Sequence, residues 1–102
     1  MSDLHVVATI PARAESIEEV RAALVELAEA TRSEEGCVSY EVFESASAPG
    51  TFVTVEAWRG QSDLDEHLGS AHVARAFEVA GPLLAAEVAI HPLAPVGTVS
   101  DR

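Results

Sequence analysis

The run TFVTVEAWR, Thr51 to Arg59, carries apolar side chains at both odd and even positions. Side chains along a strand point alternately to opposite faces, so Phe52, Thr54, Glu56 and Trp58 share one face and Val53, Val55 and Ala57 the other. An antiparallel strand with one wet face alternates apolar with polar residues. This one does not, and both of its faces need cover. No other feature limits the fold as strongly. A layer of helices can cover only one face, and a second copy of the same sheet is the economical cover for the other.

The rest of the chain supplies the helices and the partner strands. A strand is expected from Leu4 to Ile10, with Leu4, Val6, Ala8 and Ile10 on one face and Pro11 ending it. Ser16 and Glu19 have the spacing of a capping box. Ile17, Val20, Leu24, Leu27 and Thr31 follow at helical intervals. Gly36 is the expected stop, through a left-handed conformation. A second strand is expected from Val38 to Ser45. The residues SASAPG between it and Thr51 make the two strands an antiparallel hairpin. Ser62, with Asp65 three residues on, is expected to cap a short helix that turns Leu64, His67 and Leu68 inward. Gly69-Ser70 breaks it, and Ser70 caps a second helix carrying Val73, Phe77 and Ala80 inward, which Gly81-Pro82 stops. A last strand is expected over roughly Ala86 to Leu93. The order β-α-β-β-α-β is the ferredoxin-like arrangement, an α+β fold with a four-stranded antiparallel sheet. One domain is expected over 1–102, with its core over about 4–94 and a tail over 95–102.

Composition narrows the partners. The net charge of −11 comes from 17 acidic residues against six basic ones, all of them arginine. A nucleic-acid binder needs a clustered basic face, and an anionic membrane surface repels such a chain, so neither is an expected partner. Cys37 is the one cysteine, which excludes an intrachain disulfide. MSDLHVV has no basic, apolar leader pattern, and no apolar run approaches the roughly 20 residues of a membrane span, so the cytoplasm is the expected location.

His67 and His72 are the histidines worth weighing. On one continuous helix, side chains five residues apart diverge by roughly 140°, which rules out a shared metal of the kind an i, i+4 pair binds. Only the Gly69-Ser70 break could bring the two together. No third ligand stands at a diagnostic spacing, and no metal site is expected. His67 lies on the inward stripe, either as a core histidine or as a general base or substrate contact between helix and sheet. His72 is expected at the rim, and His5 and His91 on outer strands as structural residues. Glu56 is costly to bury alone, so it pairs with Arg59 or a partner-chain group, or holds a ligand. Tyr40 and Phe43 suit either core packing or a planar ligand. Cys37 has no basic neighbour in sequence and reads as a small buried hydrophobe.

The stretches EEGCVSYEVFES and PGTFVTVEAWRGQSDLDEHLGSAHVARAF resemble the antibiotic biosynthesis monooxygenase (ABM) domain family. The family pattern runs Glu-x-Gly-Cys-x-x-Tyr, then a Phe-containing strand ending Glu-x-Trp, then His-x-x-Ser-x-His before an aromatic residue. Read onto this chain, these are Glu35, Gly36, Cys37 and Tyr40; Phe52, Glu56 and Trp58; and His67, Ser70, His72 and Phe77. The resemblance extends from about Val6 to Leu93 and implies a homodimeric α+β barrel. It also implies oxidation of a small aromatic phenol or quinol by molecular oxygen, without cofactor. By the same resemblance His67 and Glu56 are the expected catalytic residues, and Tyr40, Trp58, His72, Phe77 and Phe43 the expected substrate contacts. Haem-degrading relatives ligate iron through a histidine at the position of Phe77 and place a tryptophan at that of His67, so haem degradation is not expected. Two alternatives stand beside this reading. One is a non-oxidative isomerase of a small carbonyl compound, for which Arg59 and Arg75 are the only basic residues near the site. The other is a domain that binds a small molecule without chemistry.

Overall fold

The structure, a computed structural model, describes residues 3–97. Met1, Ser2 and the last five positions of the expected tail lie outside them. The elements are β1 (Leu4–Pro11), α1 (Ile17–Thr31), β2 (Cys37–Glu44), β3 (Thr51–Trp58), α2 (Gln61–Leu68), α3 (Ala71–Ala80) and β4 (Ala89–Pro92), with single 3-10 turns before α1 and after α3. The sheet order is β2-β3-β1-β4, and every neighbouring pair is antiparallel. This is the expected ferredoxin-like topology.

The central strands β1 and β3 are paired along their full length, from Leu4 against Trp58 to Pro11 against Thr51. Their inward positions meet the apolar stripes of α1 and α3. Ile10, Val20, Leu24, Leu27, Phe52, Val73, Ala76 and Ala80 form one buried cluster. A second, formed by Val6, Ala28, Tyr40, Trp58 and Leu64, lies toward α2. Burial on this scale is the main stabilising term of a small domain, at about 25 cal/mol per Å² of apolar surface.

Several local expectations are corrected. Ser16 occupies the N-cap of α1 but its hydroxyl makes no capping bond. Ser62 lies inside α2, whose N-cap is Gly60. β4 is four residues long, half the expected length. Helix α1 ends at Thr31, and Gly36 does not have the positive φ of a left-handed stop. Gly36 is needed for close approach instead: a Cβ there would collide with the side chain of Asp63, which bonds Arg59 at 3.1 Å. A positive φ occurs at Gly50 (φ 90°), where the β2–β3 connection turns back toward β1.

The face of the sheet turned away from the helices carries Val7, Thr9, Val53, Val55, Ala57 and Phe43. Phe43 is 56% exposed and Val55 46%.

Gly36→Ala is expected to destabilise the fold by about 1–3 kcal/mol, the cost of overpacking. That exceeds the 0.4–1 kcal/mol or so that alanine contributes by restricting the unfolded chain. Urea unfolding followed by far-UV circular dichroism measures the difference, and an unchanged midpoint would contradict the close approach.

Candidate functional site

The break between α2 and α3 builds the site. Ser70 Oγ caps α3 by accepting from Val73 N at 3.4 Å and donates back to His67 O at 2.6 Å. Gly69, with φ −95° and ψ 5°, ends α2 just after His67. The chain therefore turns between the two histidines, and their ring centroids lie 5.9 Å apart. The divergence that a continuous helix would impose is cancelled. The exception left open by the sequence is the one the structure adopts.

The third member comes from the turn after α1, where Glu34 N bonds Thr31 O and Cys37 N bonds Glu34 O. One oxygen of Glu34, Oε2, lies 2.7 Å from His67 Nδ1 and 2.7 Å from His72 Nε2. Side-chain exposure is 4% for His67, 17% for Glu34 and 22% for His72. His72 is thus a half-buried partner in this cluster rather than a free rim residue. The glutamate expected in the motif, Glu35, is exposed, and Glu34 is the one that reaches the histidines. The signal was present, since a Glu-x-Gly-Cys pattern puts the glutamate two residues before Gly36, at position 34.

A second carboxylate is buried nearby. Glu56 Oε2 accepts from Thr54 Oγ1 at 2.6 Å, and Oε1 accepts from Trp58 Nε1 at 2.9 Å. Both donors are two residues away on β3 and therefore on the same face. The strand itself satisfies the buried charge. Arg59 is engaged elsewhere, with Asp63. Trp58 in turn lies 4.7 Å, ring to ring, from His67, and Tyr40 lies 5.6 Å from it.

Tyr40, Thr54, Glu56, His67, Phe77 and Ile90 converge on a cavity of about 30 Å³ between sheet and helices. Its volume is that of a water molecule or two. Of the expected site residues, Trp58 sits behind this cavity against His67, and His72 joins through Glu34. Phe43 is not brought to the site: it pairs with Val53 and points to the far face of the sheet. A larger cavity of about 350 Å³ lies between α1 and α3, where Arg75, Glu26 and Glu19 accompany His72 among small apolar residues. It has no Phe, Tyr or Trp ring, and the buried Glu56 carboxylate and His67 imidazole open on the smaller one.

Burial pushes the Tyr40 phenol far above its ordinary value near 10, and the neighbouring Glu56 carboxylate pushes the same way. Tyr40 therefore stays protonated and cannot serve as a base. Burial first, then Glu34, also raises the Cys37 thiol, which suits a packed sulfur rather than a nucleophile.

The sequence profile of the antibiotic biosynthesis monooxygenase family matches residues 3–79. The chain belongs to this family. Within it, Rv0793 of Mycobacterium tuberculosis is 37% identical over 99 residues, covering 97% of each chain. The solved structure of Rv0793 superposes with a TM-score of 0.86, over 97% of this chain and all of that one. A crystal structure described as an antibiotic biosynthesis monooxygenase is 29% identical, with a TM-score of 0.86 over 91% of this chain and 98% of that one. PA3566 of Pseudomonas aeruginosa is 27% identical, with a TM-score of 0.84 over 95% and 97%. Family membership agrees with the topology and with the motif residues that surround the cavity.

Tyr40 is the chain's only tyrosine, so its ionisation can be read directly at 295 nm. A raised folded value means that the stability tied to the neutral phenol is complete below pH 10 and is lost as the pH climbs beyond it. The native protein is expected to show no phenolate step near pH 10, and the step is expected to appear together with alkaline unfolding. A free titration at the ordinary value would place Tyr40 in solvent.

Proposed function

We propose that this chain is a cofactor-independent monooxygenase acting on a small phenol or quinol with molecular oxygen. The observation that carries the reading is the environment of His67. Its Nδ1 is held by Glu34, its ring is packed against Trp58 and Tyr40, and its Nε2 has no partner within the described residues. Thr31 Oγ1 is the sealed, unpartnered side-chain atom among those residues; Nε2 is not, so it stays reachable from the cavity His67 lines.

In the proposed reaction Nε2 takes the proton of a substrate hydroxyl. The resulting anion passes electrons to O₂, and carbon and oxygen join as a peroxide. The O–O bond then breaks: one oxygen stays as a carbonyl, the other leaves as water, and the same carbon loses its remaining hydrogen. Glu56, anchored by Thr54 and Trp58, borders the cavity and fixes the orientation of the ring. Tyr40 and Phe77 supply aromatic walls. The cavity of about 30 Å³ admits an aromatic ring only if Val88 and Ile90, which wall it at the sheet edge, give way. A second copy of the chain is proposed to cover the open sheet face through Phe43, Val53, Val55 and Val7. That face leaves Phe43 and Val55 about half exposed, and such patches mark association surfaces.

Oxygen uptake by metal-free protein with a panel of hydroquinones and anthrones tests the chemistry. Uptake is expected for at least one substrate, and His67→Ala is expected to lower it by about 10²-fold or more, the usual worth of a positioned base. Absence of uptake across the panel would remove the oxidative reading. Turnover under strict anaerobiosis would instead support an isomerase that uses His67 and Glu56 as base and acid.

Val55→Arg places a charge in the middle of the open face and is expected to yield monomer or unfolded chain by light scattering. A folded dimer would assign the association to another surface.

A further inference from the structure

We propose that Glu34 joins His67 and His72 into one proton-exchanging unit, in which a proton taken up by His67 from the cavity is matched by one released from His72 to solvent. The proposal deepens the reading of His67 as proton acceptor and rests on it.

A single carboxylate oxygen contacts both imidazoles at hydrogen-bond distance. One negative charge balances one imidazolium, not two. The proposed resting unit places that charge on His72, the more exposed ring, with its Nε2–H toward Glu34, and leaves His67 with Nδ1–H toward Glu34 and Nε2 bare. When Nε2 of His67 takes a substrate proton, two imidazolium ions flank one carboxylate. The balance is restored when His72 gives its Nδ1 proton to water. The substrate is left as an anion, the unit returns to net neutrality, and one proton has reached solvent without crossing the cavity.

The surroundings fit this direction of transfer. His67 is the most buried of the three and lines the small cavity, whereas His72 is the most exposed and lines the larger cavity between α1 and α3. The unit therefore bridges two cavities of unequal access. The groups that face His67 are Tyr40 from β2, Glu56 and Trp58 from β3, and, beside Glu34, the Cys37 thiol. Along the larger cavity His72 is accompanied by Glu19 and Glu26 from α1 and Arg75 from α3. None of these bonds either imidazole, so Glu34 is their shared contact.

The same three donor atoms lie within 4.8 Å of one another, a spacing that suggests a metal ion. The individual distances point the other way. Tetrahedral ligands bound at about 2.0–2.1 Å stand roughly 3.3 Å apart. The 2.7 Å separations here are those of hydrogen bonds.

Imidazole ¹⁵N spectra of the full chain, recorded across the neutral pH range, test the unit without any substrate. In the wild type, His67 and His72 are each expected to show both of two linked inflections separated by about one pH unit or more, as strongly interacting sites do. Glu34→Gln removes the charge that favours both imidazolium forms and is expected to move both inflections to lower pH. If that variant does not fold, His72→Gln serves instead, and His67 is expected to show one inflection. Independent single inflections in the wild type, or curves unchanged by the folded variant, would overturn the proposal. So would wild-type spectra that change when a chelator is added, since the three donors would then hold an ion. Linked titration without oxygen uptake would keep the unit and discard the oxidation; uptake with independent titration would do the reverse.

Discussion

Everything in this molecule depends on how a sheet with two apolar faces is covered. The helix-facing side is closed by α1 and α3, whose stripes meet Ile10 and Phe52 in one continuous cluster. That closure fixes the helices against β1 and β3, and it leaves a small gap where α2 gives way to α3. The site lies in that gap. A polar group there meets neither open solvent nor a fully dry core, and in such surroundings a hydrogen bond is strong and a missing one is costly.

The two buried carboxylates meet this demand in different ways. Glu56 is satisfied within its own strand, by neighbours two residues to either side. Its position is as rigid as β3, which is paired on both edges. Glu34 sits on a short turn and draws its partners from α2 and α3, so its position depends on the packing of three separate elements. One carboxylate is fixed by local geometry and the other by tertiary structure.

This difference also explains what the sequence disclosed. The alternation in β1 and β3 and the helical spacing from Ile17 to Thr31 were legible, because both periodicities record which side is buried. The Gly69-Ser70 break was legible as a break, but not its angle, which is set by the Ser70 hydroxyl bonding at both ends. The Glu-x-Gly-Cys spacing marks Glu34, but not its contacts, which come from residues 33 and 38 positions away. Phe43 was expected at the site although its own strand parity places it opposite Tyr40, on the far face. At Ser16 the spacing to Glu19 reports only a possible capping bond, and with φ −126° and ψ 15° the residue makes none.

The short edge strand β4 pairs with only Val6 to Thr9 of β1, yet this segment and the approach to it supply Val88 and Ile90 to the cavity wall. His67 and Glu56 belong to elements held by the core, while part of the wall belongs to an edge held by one short ladder. This ladder is half as long as that between β1 and β3, and segments with fewer buried contacts are the ones that open locally. In the proposed reading, admission and chemistry fall to different parts of the chain. In that reading, substitutions at Val88 and Ile90 change the cavity wall without touching Glu34, His67 or His72.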